Sequence, residues 1–202
     1  MRCLVACEFS GIVRDAFAAR GHDAWSCDLL PSERPGNHLQ CDVLTILDRE
    51  WDLLIAHPPC TYLCNSGVRW LTPKGSIDKQ RQMKMMNAAD LFGCLYHAAC
   101  FKQIPHIAIE NPVMHGYARD YLQSVWKVPT FTQSIQPWQF GHGEVKRTCL
   151  WLRGLPPLQP TEIVSGRIAR VHRASPGPDR WKERSRTLEG VAKAMAEQWS
   201  NL

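Results

Sequence analysis

Long apolar runs are missing from this chain of 202 residues. No stretch approaches the roughly 18 consecutive apolar residues of a membrane-spanning helix, so no membrane partner is expected. MRCLVACEF is too short an apolar run for a secretory segment. There is no CxxC pair, no GxGxxG and no GxxxxGKS/T, which removes the usual sequence support for a zinc ribbon, a dinucleotide pyrophosphate or a P-loop. Internal repeats and low-complexity tracts are absent as well.

What is present fits one globular domain: hydrophobic content is 45% and charged content 21%. The net charge of +5, with Lys and Arg denser after residue 146, is compatible with a polyanionic partner. The nine cysteines are scattered and odd in number, which points to free thiols in a reducing, cytoplasmic compartment. Their spacings, Cys3-x3-Cys7, Cys60-x3-Cys64 and Cys94-x2-His97-x2-Cys100, lack a second ligand pair, and the one HxE, His142-Gly143-Glu144, lies far downstream of Pro59-Cys60; no metal is expected.

Taken in order, RCLVAC (2–7) reads as a buried strand, Glu8-Phe9-Ser10-Gly11 as a turn, and IVRDAFAARGH as a helix with Ile12, Ala16 and Ala19 on one face and Gly21 as its C-cap. AWSCD is a second strand ending at Asp28, and HLQCDVL a third carrying Asp42. Leu53–Ala56 is a fourth, continuous in its apolar character as expected of a strand buried on both faces. It stops at Pro58-Pro59, since neither proline can donate to a ladder, and Cys60 follows at the carboxyl end, where open α/β sheets place their chemistry. Residues 65–77 read as a polar, flexible loop, and Asp78 as the N-cap of a helix to about Phe101 with Met85, Ala88, Phe92, Leu95 and Ala99 facing the core. HIAIENP (106–112) is a fifth strand that delivers Glu110 and Asn111 to the edge holding Cys60. A short helix over Tyr117–Val125 and strands over Thr130–Gln136 and Arg147–Leu152 follow. Gly154–Arg186 is rich in Pro, Arg and Gly, with Ile168–Val171 a short strand and SPGPDRWKERSR a basic loop. Leu188, Val191, Ala192, Met195 and Trp199 mark one face of a final helix.

These residues resemble the DNA cytosine-5 methyltransferase family, enzymes that use S-adenosylmethionine. Phe9-Ser10-Gly11 is similar to that family's F-x-G cofactor motif, Asp28 and Asp42 fall where its ribose- and adenine-binding acids fall, and Pro58-Pro59-Cys60 and Glu110-Asn111 match its PPC and EN motifs. The resemblance runs from Val5 to about Leu152, and Gly190 in the last helix matches more loosely. It implies a Rossmann-like class I methyltransferase fold: a mostly parallel seven-stranded sheet with an antiparallel last strand. The domain would divide into a cofactor half (1–57), a catalytic half (58–152), a short basic insert (153–186) and a C-terminal helix (187–202).

The family's Q-x-R-x-R motif is altered here, since Phe140-Gly141 is followed by Glu144, Lys146 and Arg147, and Thr61 replaces the glutamine after PPC. No separate sequence-reading domain fits between that motif and the last helix.

The resemblance implies Cys60 as a thiolate adding to carbon 6 of cytosine, Glu110 as hydrogen-bond partner of ring nitrogen 3, and Lys146 or Arg147 stabilising the adduct. Phe9, Ser10, Gly11, Asp28, Asp42 and Pro58 would hold S-adenosylmethionine. DNA is the expected partner, its base flipped out, with Arg69, Lys74 and Arg167–Arg186 as phosphate contacts. The same chemistry on a free deoxycytidine nucleotide, and a silent methyltransferase-like module binding DNA or protein, stand as alternatives. By analogy, the compact form suggests a bacterial or phage-infected cell.

Overall fold

Alternation along each strand sorts the core into two layers. In a computed structural model describing residues 1–98, 103–173, 175 and 177–201, seven strands form one sheet: β1 (Arg2–Ala6), β2 (Asp23–Asp28), β3 (His38–Gln40), β4 (Leu53–Ala56), β5 (His106–Pro112), β6 (Gln133–Ile135) and β7 (Thr148–Arg153). The helices are α1 (Ile12–Ala18), α2 (Lys79–Tyr96), α3 (Gly116–Val125), the single turn α4 (Arg170–Arg173), α5 (Arg180–Ser185) and α6 (Glu189–Trp199). Leu4, Ala6, Leu54, Ala56, Ile107 and Ile109 project into one layer, with Met85, Ala89, Phe92 and Leu95 of α2 and Ala118 and Leu122 of α3. Cys3, Val5, Leu53, Ile55 and Ala108 project into the other, against Val13 and Phe17 of α1 and Val191, Met195 and Trp199 of α6. With helices on both faces, a strand has no polar side to show, which is why β1 and β4 read as unbroken apolar runs.

The strand order is β3-β2-β1-β4-β5-β7-β6. β7 runs antiparallel to both β5 and β6, and the other pairs are parallel. This is the expected Rossmann-like class I methyltransferase arrangement. The order reverses between β1 and β4, so the segments after those two strands diverge and open a crevice at the carboxyl edge.

Several local expectations need correction. The buried face of α1 is Ile12, Val13, Arg14 and Phe17, whereas Ala19 is exposed. Arg14 explains the misreading: its side chain is only 1% exposed yet donates to Ser26, Ser32 and the carbonyls of Arg34 and Pro35 and pairs with Asp15. A buried guanidinium persists because its donors are met. It pins the 29–37 loop so closely that a Cβ on Gly36 would lie 2.8 Å from its Cζ. HLQCDVL is strand only to Gln40, after which Asp42 caps a 3-10 turn at Val43–Thr45. Within 65–77, Asn65–Trp70 and Pro73–Gly75 form 3-10 turns. In α2, Ala89 takes the fully buried place expected of Ala88, and His97 caps the helix; Ala99 and Phe101 lie outside the described residues. The stretch Thr130–Gln136 is strand only at Gln133–Ile135. Ile168 makes a single bridge to Glu144, and the chain then turns helical at α4 rather than continuing as a strand. The expected basic loop contains α5.

Candidate active site

The nucleophile loop is built from proline stops and braced from a neighbouring strand. His57 N–H still donates to the Ala6 carbonyl at 2.9 Å, but Pro58 and Pro59 have no N–H, so β4 pairing ends there. The Cys60 carbonyl then accepts from Leu63 N and Cys64 N, both at 3.0 Å, closing one tight turn. The chain leaving β5 holds that turn: Asn111 Nδ2 donates to the Pro58 carbonyl at 3.1 Å, His115 N to the Leu63 carbonyl at 3.0 Å, and His115 Nε2 to the Tyr62 carbonyl at 2.9 Å. Asn111 therefore reaches the site as a brace, and its buried Oδ1 has no hydrogen-bond partner among the described residues.

Glu110, one residue earlier on β5, faces the loop itself. His57 Nδ1 donates to its Oε2 at 2.8 Å, and both side chains are nearly enclosed. Burial alone would push the Glu110 carboxyl up, but the His57 hydrogen bond and the Lys146 charge outweigh it and hold the group below its ordinary value. Lys146 acts on Cys60 as well, opposing a shift upward whose causes are a hydrogen bond with Cys64, burial and the charges of Cys64 and Glu110. Cys64 moves the other way, to about 5, because it accepts from Cys60, from the Ser66 hydroxyl and from the Ser66 and Gly67 backbone N–H groups. Its Sγ lies 3.0 Å from Ser66 Oγ. The two thiols thus shift in opposite directions, Cys60 upward and Cys64 downward.

Of the two expected basic residues, Lys146 joins the cluster and Arg147 does not: Arg147 is exposed, with its guanidinium 6.0 Å from the centre of the Phe131 ring. Both residues lie just ahead of β7, and Lys146 is half-buried with its backbone N–H held by Gln136 Oε1 at 3.1 Å. Glu110, Lys146, Thr148 and Thr187 line a cavity of about 20 Å³ with an apolar wall of Ile135, Val191 and Met195. That volume holds little more than one water. Its outer wall is the chain before α6, where the Arg186 carbonyl accepts from Lys146 Nζ at 3.3 Å.

On the β1 side of the crevice, Glu8 fills the amino end of α1, accepting from Ser10 Oγ, Val13 N and Arg14 N. A carboxylate already satisfies those N–H groups, so this turn is no phosphate cradle. Gly11 has φ 72° at the N-cap, a conformation that favours glycine. Phe9 is buried beneath Trp181 of α5, ring centres 5.8 Å apart. Asp28 Oδ1 accepts from Leu30 N at 2.9 Å, and burial lifts its carboxyl despite that bond. Asp42 is exposed and accepts from Leu44 N at 3.0 Å.

The chain matches no protein-family model and no curated protein. Among solved structures it is similar to a protein assigned as a DNA modification methyltransferase, encoded within an E. coli prophage, at 14% identity, 86% coverage of this chain, 55% of that one and a TM-score of 0.47. It is also similar to the Dnmt2 methyltransferase of S. pombe, at 15% identity, 86% coverage of this chain, 53% of that one and a TM-score of 0.40. The chain spans about half the length of either.

The basic insert is largely engaged within the protein. Arg170 pairs with the buried Glu144, Lys182 with Asp179, and Arg186 forks onto Glu33 at 2.7 and 2.8 Å, while Arg167 lies over Trp138. Arg69 sits over Trp70, and the Lys74 side chain lies outside the described residues. Sequence reasoning passed over His57, His115, Glu8 and Arg14. His57 adjoins the Pro58-Pro59-Cys60 motif and was open to notice; the other three acquire roles only through partners elsewhere. Among the described residues no group of three or more His, Cys, Asp or Glu side chains is arranged to hold a metal, and no helix is long and apolar enough to cross a membrane.

Proposed function

We propose that this protein transfers a methyl group from S-adenosylmethionine to carbon 5 of cytosine in DNA through a covalent Cys60 adduct. The observation that carries the reading is that Glu110 lines one cavity with Lys146 and is hydrogen-bonded at 2.8 Å to His57, three residues before Cys60.

The donor set suits the adenosyl part of the cofactor. The half-buried Asp28 carboxylate keeps Oδ2 for ribose hydroxyls, Asp42 stands exposed at the mouth for an exocyclic amine, and the turn at Phe9-Ser10-Gly11 leaves no place for a pyrophosphate. Pro58 would close the pocket from the β4 side. Bound there, S-adenosylmethionine supplies an electrophilic methyl on a sulfonium.

The protein's own residues would do the rest. Cys60 adds through sulfur to carbon 6 of the ring, moving the carbon 5–carbon 6 pair onto carbon 5. The Lys146 charge offsets the rise in its thiol, and the proton that Cys60 loses is left within the hydrogen-bonded Cys60–Cys64 pair, on Cys64. Glu110, taking up a proton as the base binds, donates to ring nitrogen 3 and accepts from the amino group through its other oxygen, drawing charge into the ring as the bond forms. Lys146 balances that charge, and Asn111 fixes the loop through the Pro58 carbonyl. Once carbon 5 has gained its methyl, its proton passes to solvent water, the C–H pair reforms the carbon 5–carbon 6 double bond and the Cys60 thiolate leaves with the C–S pair. A base inside a duplex cannot meet Cys60, so the cytosine must be flipped out. The 20 Å³ cavity must widen to admit it.

The test is trapping with 5-fluorocytosine, in which carbon 5 has no proton to lose and elimination stalls. An adduct mapped to Cys60, formed on DNA in the presence of S-adenosylmethionine and lost in Cys60→Ser, is the expected result. An adduct on the free nucleotide but not on DNA overturns the substrate; no adduct and no radiolabelled methyl transfer on either overturns the activity.

A further inference from the structure

Beside the nucleophile loop, on the α2 side, lies an open groove of about 270 Å³ walled by Tyr62, Trp70, Arg81 and Lys84. We infer that it holds the nucleotide next to the reacting cytosine, in a strand separated from its complement. The inference rests on the proposed function only for the source of that strand.

The wall chemistry is specific. Trp70 is 55% exposed, an unusual position for so large an apolar surface. The Arg69 guanidinium lies 4.8 Å from the centre of its ring. Across the groove, Arg81 and Lys84 stand 5.0 and 5.9 Å from the Tyr62 ring. Asp78 is the acid here, and its carboxylate is engaged at the start of α2 by Arg81 N at 2.8 Å. Three cations around two aromatic faces make a surface on which a base can stack while its phosphate meets positive charge, the combination that binds single-stranded nucleic acid.

The groove is also tied to Cys60. Tyr62 is two residues along the chain, a reach of at most about 7 Å, and its carbonyl is fixed by His115. Gly67 sits so close to the same turn that a Cβ there would lie 2.7 Å from the Thr61 carbonyl, and Arg81 reaches across to the Gly67 carbonyl at 3.4 Å. Groove and nucleophile loop therefore form one braced unit, and a strand lying in the first presents its neighbouring base to the second. A free nucleotide has no flanking residue to place there, so the groove is a feature suited to a polymer.

The experiment is fluorescence anisotropy of a labelled single-stranded oligonucleotide with one cytosine, without methyl donor. Trp70→Ala is expected to weaken binding by about tenfold and Trp70→Phe to restore most of it, since stacking needs an aromatic face. In the double variant Arg81→Gln, Lys84→Gln, the slope of log affinity against log salt should fall by about 1.4, the loss of two phosphate contacts on a single strand. Near-ultraviolet circular dichroism checks that each variant is folded. Unchanged affinity and slope in folded variants, or binding of duplex but not of single strands, overturns the inference. The two readings separate cleanly: groove-dependent binding without methyl transfer sinks the proposed activity alone. Transfer to DNA with an unaltered KM in the groove variants sinks the groove alone.

Discussion

His57 Nδ1 and Glu110 Oε2 are 2.8 Å apart, joining the end of β4 to the end of β5 directly beneath the Cys60 turn. The other ring nitrogen of His57 is buried with no partner among the described residues, so the ring is held for the sake of this one bond. His57→Ala is expected to lower kcat for methyl transfer by about a hundredfold with KM nearly unchanged, as follows from letting a positioned group drift. His57→Asn, whose amide can still donate, should recover part of the loss. Equal losses in both variants, or a rise in KM alone, would remove the positioning role.

The same contact has a signature in stability. Glu110 is held below the ordinary 4.5 of a glutamate side chain, so its ionised form favours the folded state. That contribution is complete above the unfolded value and disappears as pH falls through the folded one. Urea unfolding of Glu110→Gln should show its largest deficit against the parent protein near neutrality and a shrinking one below pH 4.5.

Cys64 should titrate well below an ordinary thiol. Thiolate absorbance followed against pH reads this directly: the midpoint vanishes in Cys64→Ser and rises in Cys60→Ala, which deletes the leading hydrogen bond to the Cys64 sulfur. A midpoint that ignores Cys60→Ala would mean the two thiols do not share a proton.

Gly190 docks α6 against the 140–142 turn. A Cβ there would lie 1.9 Å from the Phe140 carbonyl oxygen and 2.9 Å from His142 Nε2, which accepts the Gly190 N–H. The nearest neighbour is backbone and has little freedom to yield. Gly190→Ala should destabilise the fold by about 1–3 kcal/mol, read as a drop of several degrees in Tm, whereas Gly177→Ala, with open space around it, should change little.

Most strands and the meeting of the Cys60 and Glu110 segments were legible because they rest on patterns within a few neighbouring residues: apolar runs, proline stops and acids at strand ends. The reversed direction of β7 came only with the family resemblance. The misses share a different origin. Arg14 was left off the buried face of its helix because the carbonyls that satisfy it lie about twenty residues away. Arg147 and Lys146 are adjacent in sequence, and Lys146 is set apart by the Arg186 carbonyl, forty residues away, that receives its side chain. The expected phosphate-binding arginines of the insert carry no mark in the sequence that Glu33 and Glu144 already hold two of them. Spacing reveals what a residue is suited to, and the partner that engages it first decides whether it is available.

The short segment from α5 to Leu188 touches both halves of the crevice at once. Trp181 rests on Phe9, Arg186 forks onto Glu33, and the Arg186 carbonyl takes a hydrogen bond from Lys146 in the wall of the small cavity. A ligand that lifts this segment on one side must disturb the other, so occupancy of the two sides is linked, and the linkage runs equally in both directions. Calorimetric titration of S-adenosylmethionine with and without a cytosine oligonucleotide should give different affinities, and the difference should shrink in Glu33→Gln, which frees Arg186. One ion pair between residues 33 and 186 would then set how strongly each ligand senses the other.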